Sequence, residues 1–182
     1  MRRDENSALE GDGVIGEVKF IVDHNVGKLN KWLRMMGFDS LFFNGDDDGD
    51  MVRQALLEKR VILTRDREIM LRRVVKNGRL TAILIASEVP EKQMVQVIDT
   101  LNLAGDLHPF TRCLECNELL VEQTKEKIKD RVPPYVFRTQ EQYMECPLCR
   151  RIYWRGTHWE AMIRRLRRLL GDKTEYLKEV SR

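Results

Sequence analysis

Lys19-Phe-Ile-Val-Asp23 and Arg60-Val-Ile-Leu-Thr-Arg-Asp66 are the two stretches on which the fold turns. Each is a short apolar run that meets an acid at its carboxyl end. Neither alternates apolar and polar residues, as a strand with one wet face would. Runs of this kind are buried on both faces, which is the condition of a parallel sheet covered by helices. The intervening sequence supplies the helices. Leu29, Trp32, Leu33 and Met36 recur at helical spacing, and Gly37 is a natural stop. Ser40–Phe43 reads as a second strand, and Asp50 stands as N-cap ahead of Met51–Arg60. A helix is expected from Asp66 to Lys76, closed by Asn77-Gly78, and Leu80–Ala86 reads as a fourth strand. Pro90 then opens a helix with Met94, Val97, Ile98 and Leu101 on one face and Gly105 beyond its end. Strand and helix alternate throughout, so the fold class is α/β with a parallel sheet flanked by helices.

In an open parallel sheet, ligands bind where the carboxyl ends of the strands emerge. Asp23 and Asp66 fall there, Asp50 opens the helix leading into the third strand, and Glu68 lies two residues beyond Asp66. Carboxylates gathered at one rim repel one another unless a divalent cation sits among them. Oxygen ligands suit Mg²⁺ or Mn²⁺, and such an ion can activate a water and stabilise charge on a phosphate. The same residues also have structural readings. Asp50 and Asp66 fit helix caps, Asp23 a turn, and Asp46–Asp48 a solvated loop. Thr64 fits a metal-bound water or a cap, and Asn25 a phosphate contact or the turn after Asp23.

Near residue 110 the long helices stop and the cysteines begin. Cys113-Leu-Glu-Cys116 and Cys146-Pro-Leu-Cys149 are two C-x-x-C units separated by the 29 residues 117–145. Two such turns supply the four soft ligands that zinc takes in a tetrahedron. A redox motif, a pair of disulfides and buried free thiols are the other readings. Four thiolates would leave no open coordination position, so zinc here would hold the fold and not catalyse. The division expected is a polar, mobile leader over residues 1–18, an α/β domain over 19–109, and a zinc ribbon with a basic C-terminal helix over 110–182.

The net charge of +3 says little, because 32 basic residues nearly cancel 29 acidic ones. The distribution says more. Five acids and no base lie between Asp39 and Asp50, whereas seven arginines and one acid lie between Arg150 and Leu170. Cations in one place and a polyanion in another would suit that segregation. Trp159, Met162, Ile163, Leu166, Leu169 and Leu170 form an apolar stripe on the last helix, with Arg164, Arg165, Arg167 and Arg168 mostly off it. Hydrophobic residues at 42% and charged residues at 34% exclude a disordered or fibrous chain. No apolar run is long enough to span a bilayer, and the leader has no signal-peptide core, so the expected address is the cytoplasm.

Taken together, these stretches resemble a known family. Phe20–Asp23, Gly27–Gly37, Ile62–Asp66, Arg112–Asn117, Cys146–Trp154 and Gly156–His158 resemble, in order, the motifs of the Mut-seven C-terminal RNase domain family. The resemblance runs from Lys19 to Leu170. It implies a PIN-like fold and metal-dependent cleavage of RNA, with catalytic acids at Asp23, Asp50 and Asp66. Glu68 stands where related sequences often carry a second Asp. The family's zinc cysteines fall on Cys113, Cys116, Cys146 and Cys149. On this reading Asp23, Asp50 and Asp66 hold Mg²⁺ or Mn²⁺, while Arg150, Arg151, Arg155, His158, Arg164, Arg165 and Arg168 meet the RNA backbone. Trp154 and Trp159 would stack on bases or pack beside the ribbon. A non-catalytic nucleic-acid-binding ribbon on a scaffold α/β domain is the alternative. Phosphoryl transfer on small substrates fits less well, since Asp23-His-Asn has no second acid two residues on.

Overall fold

The computed structural model describes residues 18–171, so the expected leader, apart from Val18, lies outside the described residues. Four strands, β1 (Lys19–Val22), β2 (Asp39–Phe42), β3 (Arg60–Thr64) and β4 (Ala82–Leu84), form one parallel sheet in the order β2-β1-β3-β4. The expected α/β class holds. Val22 is level with Phe42 and Leu63, so the residues that follow β1, β2 and β3 emerge on one rim.

Side chains alternate across a strand, and here both faces are buried. Phe20, Val22 and Leu63 enter one apolar cluster with helices α1 (Gly27–Met35) and α5 (Pro90–Leu101). Ile21 and Ile62 enter a second cluster, covered by α2 (Asp48–Glu58) and by Ile69 of α3 (Arg67–Leu71). Gly37 ends α1 at φ +95°, where a Cβ would lie 2.3 Å from the His108 carbonyl oxygen. Only glycine serves both demands.

Several local expectations are corrected. The N-cap of α2 is Asp47, whose carboxylate accepts from the Gly49 N–H at 2.7 Å; Asp50 lies inside the first turn. Asp48 therefore belongs to the helix and not to a solvated loop. The helix expected to run to Lys76 breaks at Arg72, which is extended, giving α3 and a short α4 (Arg73–Lys76). The Leu80 N–H bonds back to the Val74 carbonyl at 2.9 Å, so the chain turns toward β4 sooner than a continuous helix would allow.

Beyond residue 110, β5 (Val121–Gln123), β6 (Tyr143–Glu145) and β7 (Ile152–Tyr153) form a small antiparallel sheet beside the cysteines. Two short helices, α6 (Lys125–Ile128) and α7 (Pro134–Thr139), fill the connection between the cysteine pairs. The last helix, α8 (Thr157–Leu170), returns to the first cluster, burying Ile163, Leu166 and Leu170 against α5. Among the described residues no helix is long and apolar enough to cross a membrane.

At the opposite, amino-terminal edge of the sheet, buried Arg60 donates to Asp39 at 2.6 Å, to Glu58 at 2.6 Å and to the Phe20 carbonyl at 3.2 Å. Burial opposes the charge on Asp39, but donation from Arg60 and Asn117 outweighs it and holds the carboxyl below its ordinary value. A depressed folded-state value stabilises above the unfolded value of about 3.9, and that contribution is lost as pH falls through the folded one. Asp39→Asn is accordingly expected to cost about 3 kcal/mol at neutral pH, since it leaves a buried guanidinium short of charge. Urea unfolding should also show a shallower loss of stability below about pH 4 in the variant. An acid limb identical to that of the parent chain would refute the assignment.

Candidate active site and metal centre

Asp23 follows β1 directly and is 2% exposed. Two donors hold its carboxylate, Thr64 Oγ1 at 2.5 Å and Asn25 Nδ2 at 2.7 Å, and His24 Nδ1 lies 2.8 Å from it. Thr64 also accepts from the Asp66 N–H at 2.9 Å, so one hydroxyl ties the acid after β1 to the acid after β3. Asn25 crosses the same gap, accepting from the Arg65 N–H at 3.0 Å. The two readings offered for Thr64 and Asn25 thus resolve locally into a brace between strand ends.

Asp66 is the N-cap of α3, where one carboxylate oxygen accepts from the Glu68 N–H at 2.8 Å. The cap reading and the rim reading of Asp66 are compatible, because capping occupies a single oxygen. Glu68 is exposed in the first turn of α3.

The third acid at this rim is Asp48. Its half-buried carboxyl is pushed up from its ordinary value, first by burial and then by the negative charges of Asp66 and Asp23. Asp50 is about half exposed and ion-paired with Arg53. The structure brings Asp23, Asp48 and Asp66 into one electrostatic neighbourhood and turns Asp50 to solvent. If this rim acts on a substrate, Asp48→Asn should lower activity at least about tenfold, the scale of one lost charge contact in a transition state. Asp50→Asn should leave activity within about twofold, the range of an exposed pair. Side-by-side initial rates decide this, and equal losses would remove Asp48 from the site.

Among the described residues, Cys113, Cys116, Cys146 and Cys149 are the one group of three or more metal-ligating side chains whose donor atoms all lie within 4.8 Å of one another. No rim acid belongs to such a group among the described residues. The two cysteine turns repeat each other. In the first, the Asn117 N–H bonds to the Cys113 carbonyl at 3.1 Å, and the Cys113 N–H to Glu118 at 2.8 Å. In the second, the Arg150 N–H bonds to Cys146 and the Cys146 N–H to Arg151, both at 2.9 Å. Asn117 and Arg150, the residues after each second cysteine, both adopt positive φ, at 67° and 62°.

Neighbouring Sγ atoms lie 3.3–3.6 Å apart, too far for disulfides of about 2.05 Å. A tetrahedron with metal–sulfur bonds of about 2.3 Å has edges of about 3.8 Å, close to this spacing. The four cysteines can therefore hold a structural metal such as zinc. Burial opposes the Cys113 thiolate, yet N–H groups of Cys116 and Glu115 and the Tyr153 hydroxyl, 3.1 Å away, bring it down to about 6. Cys116 is pushed up to about 12 by burial and by the adjoining sulfurs. One thiolate forms readily and the next is resisted, which a dication among them would relieve.

This knuckle is joined to the sheet. Buried Arg34 of α1 donates to the Ser40 carbonyl at 2.8 Å and to the Leu114 and Glu115 carbonyls at 3.0 and 2.7 Å. Asn117 accepts from the Ser40 N–H at 3.0 Å and donates to Asp39 at 2.8 Å. The sequence placed Asn117 only at the end of the Arg112–Asn117 motif and Asp48 in a solvated loop, and gave no role to Arg34, His24 or Tyr153. For Arg34 a signal existed: it is an arginine flanked by the buried Leu33 and Met35 of an apolar helix.

The proposed backbone-binding residues are spread over the ribbon and α8. Arg150 pairs with Glu145, Arg151 with Glu115, Arg164 with Glu160 and Arg165 with Glu91. Arg155 lies over the Phe110 ring, 5.6 Å from its centroid, and His158 and Arg168 are exposed on α8.

Fold and site define a class: a parallel α/β domain with acids at its carboxyl rim, latched to a four-cysteine knuckle pair. Within that class the chain belongs to the Mut7-C RNAse domain family, whose model matches residues 18–166, most of the chain. Neither the curated proteins nor the solved structures compared with it give a match.

Proposed function

We propose that the chain is a metal-dependent ribonuclease that hydrolyses RNA phosphodiester bonds at the rim formed by Asp23, Asp48 and Asp66. The family supplies the reaction class. The observation that carries the rest is the Asp23–Thr64–Asp66 hydrogen-bond chain, which puts two carboxylates on the carboxyl ends of adjacent parallel strands.

The donor set is oxygen-rich and carboxylate-based, which suits Mg²⁺ or Mn²⁺. Mg²⁺ keeps several waters and takes one or two carboxylates, so Asp23 and Asp66 would suffice to hold it. When bound, such an ion supplies an activated water and charge stabilisation at phosphorus. The chain's own residues do the rest. Thr64 and Asn25 fix the Asp23 carboxylate in one orientation. Asp48, with its carboxyl raised by burial and then by its acidic neighbours, gains from a nearby cation. Arg151 and Arg164 sit in exposed ion pairs worth about 0–1 kcal/mol, so exchanging a carboxylate for a phosphate oxygen costs little there. Zinc on the four cysteines would hold the ribbon in its place on α1. The thiols this needs belong to a reducing compartment, and we place the protein in the cytoplasm.

A Mn²⁺-soaked crystal tests the reading: anomalous density is expected between Asp23 and Asp66. A rim without density, in crystals whose chain also fails to cut labelled RNA with Mn²⁺ present, would favour a non-catalytic RNA-binding protein. Among the described residues the groups able to hold a metal comprise the four cysteines and no rim acid, which favours that second reading.

A further inference from the structure

A cavity of about 320 Å³ opens where the ribbon, α1 and the start of α8 meet, away from the acidic rim. Four aromatic residues line it, Phe110, Tyr153, Trp154 and Trp159, beside a set of aliphatic and methionine side chains that includes Met35 and Met162. Its volume is at the lower end of small-ligand pockets, roughly 300–1,000 Å³. Cationic or cation-capable groups, Lys31, Arg112 and His158, also line it, and no carboxylate does. Just outside, Lys31 and Arg151 share the single acid Glu115, at 3.0 and 3.1 Å, which leaves that edge with excess positive charge. An apolar core partner would not call for this edge, whereas a flat aromatic ligand on an anionic backbone matches both features.

Two local details show that the aromatic walls are held in place. Phe110 keeps its ring there at φ +70°, a backbone region that favours glycine. The Trp154 indole lies so close to Gly156 that a Cβ there would stand 2.9 Å from its Nε1. The cavity is also in register with the acidic rim along one rigid element. α1 begins at Gly27 beside the rim and reaches the cavity at Lys31 and Met35, about 6 and 12 Å further along its axis.

We infer that this cavity is a nucleobase subsite, which receives one unstacked base of single-stranded RNA while the strand's phosphates follow the basic edge toward the rim. The inference rests on RNA being the substrate and deepens that reading. Every base has a π-face, so the subsite should be tolerant of sequence.

Tryptophan fluorescence provides the test, because Trp154 and Trp159 line the cavity while Trp32 is buried in the core. Asp23→Asn protein, which retains its strand uncut, is titrated with oligouridylate, oligoadenylate and an abasic ribose-phosphate strand of equal length. No divalent ion and no chelator is added, which spares the cysteine site. Saturable quenching by both base-bearing strands is expected, with about tenfold tighter binding than the abasic strand, the contribution of one stacked base. Gly156→Ala, which displaces the indole, should reduce that preference at unchanged zinc content. Equal affinity for abasic and base-bearing strands overturns the inference without recourse to Gly156→Ala. So does quenching by an acidic, apolar peptide with none by RNA. Wild-type cleavage of RNA together with equal affinity for abasic and base-bearing strands removes the subsite alone. Tighter binding of base-bearing than of abasic strands by a wild-type chain that never cuts RNA removes the nuclease reading and keeps the subsite.

Discussion

Asp23→Asn should lower the rate of RNA cleavage by at least about a hundredfold, with RNA affinity unchanged or raised. The carboxylate is the most constrained group at the rim, and an amide keeps its shape while removing its charge. Charge stabilisation by a bound ion contributes several kcal/mol to a transition state, and each 1.36 kcal/mol is tenfold in rate. The amide can still accept from Thr64 through its oxygen, so the brace between β1 and β3 survives and the fold should persist. Loss of a negative charge also relieves repulsion of the phosphate backbone, hence the expectation for affinity. Single-turnover rates and filter binding on the same preparations separate the two effects. Cleavage persisting in the Asn variant at near-parental rate would end the acidic-rim mechanism, while loss of both cleavage and binding would indicate an unfolded chain.

The second large effect concerns the cysteines. Cys113→Ser is expected to abolish stoichiometric zinc and to unfold the ribbon while the sheet and its helices remain. Structural zinc sites contribute apparent binding energies of about 10–16 kcal/mol, which are folding energy for the lobe they close. The ribbon has little else: its apolar cluster centres on Cys113, Cys146 and Leu120, two of which are themselves ligand candidates. Of the two larger clusters, the second contains no ribbon residue and the first draws on the ribbon through Leu114, at its periphery. Unfolding should also release Arg34, which would lose the Leu114 and Glu115 carbonyls and keep only that of Ser40. Hydrogen exchange resolves this, with protection lost over residues 113–153 and kept in β1 and β3. Zinc analysis and exchange patterns matching the parent chain would refute the structural role. Chelator experiments on nuclease activity must be read with this lobe in mind, because removing zinc and removing the rim ion are different events.

Much of the architecture was legible in the residues. The double-sided burial of β1 and β3, the stop at Gly37, the Pro90 start of α5 and the paired knuckles all follow from local chemistry that tertiary contacts then left intact. The break at Arg72 was not legible, since nothing in Arg67–Lys76 disfavours a continuous helix; the early turn toward β4 imposes it. Nor was the return of α8 onto α5. An apolar stripe shows that a helix is covered but not by what.

By itself, the amino-acid order determined the alternation of strand and helix up to about residue 110, that acids stand at the strand ends, and that four cysteines fall in two matching pairs. Those are properties of neighbours in the chain. Which acid feels the charges of Asp23 and Asp66 was decided only in three dimensions. Residues two apart on a helix point about 200° away from each other, so moving the start of α2 back to Asp48 turns that carboxylate toward Asp23 and Asp66 and Asp50 toward water. The joining of knuckle to sheet through Arg34 and Asn117, and the aromatic cavity where they meet, likewise depend on packing between segments some eighty residues apart, which no local pattern encodes.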